Sequence, residues 1–392
     1  MIDLTHLPAV DVHCHPFLNP GTLSVERFVD AFSFSGGGVP FMVEGGLPHD
    51  QALIDEVQGV RRNALYHRYA IRQLARFFEC EPNLEEVVAA RNQASETYTD
   101  YTRRLYSACG LTTLVADFGY PLPAVDIAAF KAEIAAQVIP IYRIEPLIVE
   151  LLAADIDWSE FKQRYDETIV DAIQHGGFYG LKSVIAYRTG LDVSPLTRTA
   201  DQGMQALDAI RRGIGGNAMK KLRDHLLCRS LELCMDLDVP MQIHTGMGDY
   251  EVNLVKCRPG LLMDLLRFPI FRACRVLLVH TGYPYHAEAG YMANMLPRVY
   301  CDVSEGIPFA AHAAERIYLE TLEMAPLNKV LFGTDGYTMP EINFVGTTLG
   351  KQALGRALQR LIDEDFLGEA DALEAGAWIL AENAQRLYGI DE

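Results

Sequence analysis

The chain has 392 residues, 49% of them apolar, which is enough for a sizeable core in one large domain or two ordinary ones. Its 34 basic and 52 acidic residues leave a formal charge of -18. That balance argues against nucleic acid or an anionic membrane as partner, because both would be repelled, and leaves a small ligand as the expectation.

Eight cysteines stand at 14, 80, 109, 228, 234, 257, 274 and 301 with no CxxC pair, and no apolar leader precedes residue 8. Reduced thiols in a cytoplasmic protein are expected. Apolar runs such as Val276 to Val279 are far shorter than the roughly 20 residues of a membrane span, so no membrane is expected.

The first strand, near 9–13, runs into Asp11-Val12-His13-Cys14-His15. Alternate residues of a strand face the same way, so His13 and His15 project together and Cys14 turns away as a core thiol. About 100 residues separate this strand from the next, near 112–118, too many for a bare connection. Gly36-Gly37-Gly38 and Gly45-Gly46 read as a flexible stretch, followed by helical patterns over 55–78 and 84–106. A helical insertion over 36–108 results, serving either as a lid on the barrel mouth or as an oligomer contact.

A third strand near 138–144 ends in Arg143, and a fourth near 178–185 carries Lys182, with Arg188 beyond it. About 55 residues, including a helix from Asn217 to Leu237, lead to a fifth near 239–244 that ends in Gln242-Ile243-His244-Thr245-Gly246. The sixth (275–280) ends in Val279-His280-Thr281-Gly282, the seventh (298–303) contains Asp302, and the eighth (329–333) runs into Gly333-Thr334-Asp335-Gly336. The tail from Leu349 to Tyr388 reads as closing helices. Strands that alternate with helices and are apolar on both faces imply a parallel sheet. Eight of them, with no GxGxxG after the first, predict an α/β fold of the TIM (β/α)8 barrel type, one domain over 1–392.

Catalytic groups of such a barrel lie at the C-terminal strand ends. His13, His15, His244 and Asp335 would therefore converge on one divalent cation, Zn(II) first and Mn(II) or Fe(II) after it. The ion would acidify water, Asp335 would act as general acid and base, and His280 would donate to a developing oxyanion or serve as a fifth ligand. Arg143, Lys182 and Arg188 would ring the mouth and bind an anionic substrate, although Arg143 could instead pair with Glu145 or another barrel carboxylate. Tyr283, Asp249 and Glu305, just past strand ends, would touch substrate or orient ligand histidines.

HxH on the first strand, histidines on the fifth and sixth and an aspartate on the eighth resemble the amidohydrolase superfamily, over nearly the whole chain. With the first strand so near Met1 there is no room for a preceding β-sandwich, which is similar to the compact amidohydrolase 2 group, where hydrolases and non-oxidative decarboxylases both occur. Gly180 to Leu191, the run IHTGMGDYEVNL from Ile243 and the run HTGYPYHAEAGYMANMLPRVYCDVSEGIPF from His280 resemble the amidohydrolase-like domain that some fungal and plant proteins fuse to a glutamine-synthetase-like domain, a second domain not expected here. The resemblance implies cleavage of a γ-glutamyl or similar acidic amide. In some superfamily members a lysine placed like Lys182 is carbamylated and bridges two metals; a single metal with Lys182 protonated is the simpler reading. A metal-dependent decarboxylase is the first alternative. A silent barrel used as a binding module is the second, and the retained ligand set speaks against it. A homo-oligomer is compatible with this reading.

Overall fold

The computed structural model describes residues 2–34, 50–214 and 216–390. Eight parallel strands follow one another in chain order: β1 (Ala9–Cys14), β2 (Leu111–Asp117), β3 (Gln137–Arg143), β4 (Leu181–Ser183), β5 (Met241–His244), β6 (Val276–Val279), β7 (Val299–Asp302) and β8 (Val330–Leu331). The chain beyond β8 closes the ring onto β1. Val12 N donates to Phe332 O at 3.0 Å, Asp335 N to His13 O at 2.9 Å and His15 N to Gly336 O at 2.7 Å. The fold is the TIM barrel expected from the strand pattern.

β6 shows why its sequence is apolar at every position. Leu277 and Val279 face the barrel interior with Val12, Val115, Ile139 and Leu331, while Val276 and Leu278 face the surrounding helices. Each strand face is thus covered. The C-terminal helix Asn383–Tyr388 closes the base: Leu387 and Tyr388 join the interior cluster, and Gln242 Nε2 donates to Tyr388 Oη at 2.7 Å.

β1 departs from simple alternation. Its pairing with β2 shifts register between Asp11 and Cys14, so Val12 faces the interior and yet its neighbour His13 reaches the barrel mouth. Such bulges re-aim side chains next to active sites.

Between β1 and β2 lie helices Val25–Phe32, Gln51–Arg61, Leu65–Phe78 and Leu84–Ala94, and Tyr98–Cys109 leads into β2. Gly36-Gly37-Gly38 and Gly45-Gly46 lie outside the described residues. Asp30 and Ala31 of the first of these helices, with Phe34, reach the rim of the barrel mouth. The later ones pack on the long helix Pro340–Asp363: Phe77 meets Phe344 at 5.2 Å between ring centroids, and Tyr69 Oη donates to Gln352 Oε1 at 3.2 Å. No helix among the described residues is long and apolar enough to cross a membrane.

His67, on Leu65–Phe78, is 4% exposed and its Nε2 lies 2.7 Å from Ser33 Oγ. Burial, with Arg62 and Arg61 nearby, lowers its pKa to about 4. The unfolded imidazole titrates near 6.5, so as pH falls the unfolded chain takes the proton first. Stability is therefore unaffected above that value and is lost from pH 6.5 down towards 4. Between pH 7 and pH 5 the wild type should lose about 2 kcal/mol more than a His67→Gln variant, read from denaturant midpoints. Equal losses in the two proteins would show that His67 charges as easily folded as unfolded.

Candidate metal centre

The residues at the C-terminal strand ends form two facing groups. In the first, Asp335 Oδ1 lies 3.3 Å from His13 Nε2 and 3.4 Å from His15 Nε2. In the second, His280 Nε2 lies 3.1 Å from His244 Nδ1 and 3.6 Å from Glu305 Oε2. All six side chains are buried. The rings of His13 and His280 are 5.3 Å apart between centroids, so the two groups are neighbours in one cavity.

Hydrogen bonds on the far side of the His15, His244 and His280 rings assign their tautomers, whereas His13 Nδ1 is buried without a partner. His15 Nδ1 lies 3.3 Å from Asp117 O and His244 Nε2 lies 2.8 Å from Met247 O, so both of these nitrogens donate and the opposite ones carry lone pairs. His280 Nδ1 meets Ser304 Oγ at 2.9 Å, and Ser304 Oγ donates in turn to Asp302 Oδ1. Asp302 also accepts from the His280 backbone N–H at 3.1 Å. Burial raises Asp302 to about 6, which leaves it a carboxylate at neutral pH, and the Ser304 proton is then committed to it. His280 Nε2 consequently faces the cavity as an acceptor, which suits a ligand and does not suit the hydrogen-bond donor expected from the sequence. Burial also holds His13, His244 and His280 well below the usual imidazole range, so all three are neutral.

The lone pairs of His15, His244 and His280 thus point at a carboxylate oxygen or at one another across short gaps. Asp335 Oδ1 and Glu305 Oε2 are buried and accept no hydrogen bond. Buried acceptors in this state are costly unless a cation joins them, and imidazole with carboxylate is the donor set of Zn(II), Mn(II) or Fe(II). The residues fit a divalent metal ion.

The turn that carries Asp335 is fixed from behind. Asp335 has φ 58°, a left-handed conformation. Asp11 accepts from Thr334 N at 2.8 Å and from Asn343 Nδ2 at 3.0 Å, and Thr334 Oγ1 donates to its second oxygen. Asn343 lies in the first turn of Pro340–Asp363, so that helix, β1 and the end of the eighth strand share one buried carboxylate.

A cavity of about 560 Å3 opens over the two groups, lined also by Arg143, Lys182 and Arg188. Lys182 is fully buried, its Nζ 3.0 Å from His13 Nε2. Burial lowers its pKa to about 8, so the ammonium form prevails at neutral pH. Arg143 is held by Asp117, whose Oδ2 accepts from its Nε at 2.9 Å and from its Nη2 at 2.6 Å. Its expected pairing with a barrel carboxylate is thus realised with Asp117 rather than Glu145, while it still lines the cavity. Asp249 and Glu305 line the cavity as well. Tyr283 does not: its ring packs edge-on to His286 at 5.2 Å and its hydroxyl lies near Arg316, away from the mouth.

Sequence reasoning did not single out Asp117, Tyr187 or Asp30. Tyr187 packs on His244 at 4.5 Å between centroids and its hydroxyl accepts from Asp249 N at 3.0 Å. Asp117 had a signal, a charged residue ending an apolar strand, as for Arg143. Asp30 had none, since the register of its helix over the mouth is a tertiary matter.

Residues 160–390 match the family model described as amidohydrolase. Protein fluG of Emericella nidulans is 33% identical over 283 residues, which is 68% of this chain and 32% of that protein. The chain therefore spans about a third of the length of this curated relative. A protein of Lactobacillus casei described as a metal-dependent hydrolase superposes with TM-score 0.83 at 24% identity, over 99% of this chain and 98% of that one. A uronate isomerase of Bacillus halodurans does so with TM-score 0.69 at 10% identity, over 99% and 95%. At these identities the two structures speak for the fold.

Proposed function

This chain belongs to the amidohydrolase family and is an enzyme; from that premise we propose that it hydrolyses the C–N bond of a small anionic amide, such as a γ-glutamyl amide, using a divalent cation held by His13, His15 and Asp335. The observation that carries this reading is the buried Asp335 Oδ1, which accepts no hydrogen bond and faces two imidazole nitrogens beside a cavity whose lining includes Arg143, Lys182 and Arg188. Zn(II) suits the two imidazoles and one carboxylate best, with Mn(II) or Fe(II) next. A divalent ion supplies, when bound, acidification of water to a pKa of about 7 and polarisation of the amide carbonyl.

The chain's own groups do the rest. Asp335 accepts the proton of the attacking water and passes it to the departing amine. Lys182 and Arg188 pair with the substrate carboxylate, and Asp117 keeps Arg143 rigid beside them. The lone pair of His13 Nε2 can serve either Lys182 or a metal ion, so loading the site releases the Lys182 ammonium for substrate.

The test is mass spectrometry of products from a panel of γ-glutamyl amides, aromatic carboxylic acids and uronates in ¹⁸O-labelled water. Label in a new carboxylate supports the hydrolase. Loss of carbon dioxide without label would make the enzyme a decarboxylase, and an unlabelled product of unchanged mass an isomerase; either would overturn this reading.

A further inference from the structure

We propose that Asp30 seats a positive charge on the amine half of the substrate, so that the amide this chain cleaves is one of a diamine rather than of a neutral amine. The inference deepens the hydrolase reading and rests on its placement of the substrate carboxylate at Lys182 and Arg188.

No contact among the described residues accounts for a carboxylate at Asp30. It lies in the last turn of Val25–Phe32, where the carbonyl end of the helix disfavours negative charge. Its Oδ1 is buried and accepts no hydrogen bond. Burial raises its pKa, and no cation among the described residues offsets that rise. Residues 35–49, which follow, contain neither lysine nor arginine. A half-buried carboxylate in this state costs stability until a cation joins it, and such groups gather where a ligand supplies one.

The two sides of the cavity differ in what they offer. Arg143 ends β3 and Arg188 lies just past β4, whereas Asp30 is tied to the other side of the mouth. There Thr338 Oγ1, in the loop after β8, donates to Ala31 O, and Tyr337 Oη donates to Ser33 O. In a ring of eight strands β8 stands opposite β4. Asp249 and Glu251 follow β5, the neighbour of β4, and so stand with Arg188 rather than with Asp30. His13 and His15 of β1 and Asp335 beyond β8 are on the Asp30 side. A substrate with its carboxylate at Arg188 and its amide carbonyl over those three residues therefore directs its amine half toward Asp30. The rings of Phe34 and Tyr337, both backed by Phe309 at 5.2 and 6.2 Å between centroids, line the same side. They supply carbon surface for the methylenes of a diamine, with the carboxylate for its terminal ammonium.

Full-length protein loaded with Mn(II) is offered two γ-glutamyl amides of equal length, one of 1,4-diaminobutane and one of pentylamine, in which a methyl group replaces the free ammonium. Wild type should favour the diamine amide in kcat/KM by about 10–100-fold, the range of a hydrogen bond to a charged group. Asp30→Asn should bring that ratio close to one through a higher KM for the diamine amide, and Asp30→Glu should keep it. Equal cleavage of both amides by wild type, or a folded Asp30→Asn that retains the preference, overturns this proposal and leaves the hydrolase reading standing. Should Asp30→Asn not fold, Asp30→Ser takes its place. If neither amide is cleaved, the hydrolase reading fails on its acyl half, and calorimetric binding of 1,4-diaminobutane decides for Asp30 alone. Affinity about 10-fold weaker in Asp30→Asn than in wild type sustains the cation seat, and equal affinity removes it.

Discussion

Replacing Asp335 by Asn should lower kcat/KM by about 10³-fold while leaving the fold intact. Two losses combine in this variant: an anionic ligand becomes a neutral amide, and the group that carries the proton from water to the amine can no longer titrate. The substitution is clean because Asp335 has φ 58°, a region that Asn tolerates and most residues do not. Ala at the same position would confuse backbone strain with lost chemistry. Asn also leaves the backbone hydrogen bond from residue 335 to His13 O untouched. Rates measured at rising Mn(II), on the substrate the labelling panel identifies, separate the two losses. Metal excess should restore occupancy but leave the rate at least 10²-fold down, since proton transfer alone accounts for about 10²–10⁴. A variant as fast as wild type at full occupancy would remove Asp335 from the proton path.

The barrel was legible because its signals are local. A strand covered on both faces must be apolar throughout, as β6 is, and a charged residue that ends such a run can only be at the mouth. His13, His15, His244, His280 and Asp335 were found this way. How they divide was not legible, because strand-end position does not say which neighbour a ring faces. That depends on the register shift in β1 and on which carbonyl takes the far-side proton of each imidazole, Asp117 O for His15 and Met247 O for His244. Glu305 was weighed as a loop carboxylate; it is buried, at a turn with φ 59° that no sequence pattern announces. Tyr283 failed for a similar reason. It follows a strand end as closely as Asp249 follows His244, but its ring is turned onto His286.

Among the contacts that join the insertion to the barrel is a buried ion pair, and breaking it should be strongly destabilising. Arg91 of Leu84–Ala94 donates from Nε to Glu341 Oε1 at 2.7 Å, both side chains fully buried, and Tyr101 Oη donates to the same oxygen at 2.8 Å. Glu341 opens the long helix two residues before Asn343, the residue that holds Asp11 and through it the Asp335 turn. Glu341→Ala strands a guanidinium and a phenol in the core and should cost about 3–5 kcal/mol in denaturant unfolding, as removal of one partner of a buried pair does. The pair itself is worth much less. Arg91 Nη2 and Glu341 Oε2 are buried without hydrogen bonds, so the desolvation of both ions is incompletely offset. The triple replacement Arg91→Met, Glu341→Leu, Tyr101→Phe should therefore recover most of the lost stability. If the triple variant is as unstable as Glu341→Ala, the pair contributes a net stabilisation of its own and the desolvation argument fails. If Glu341→Ala costs under 1 kcal/mol, the joint between the insertion and the barrel lies elsewhere, and Phe77 against Phe344 is then the contact to remove.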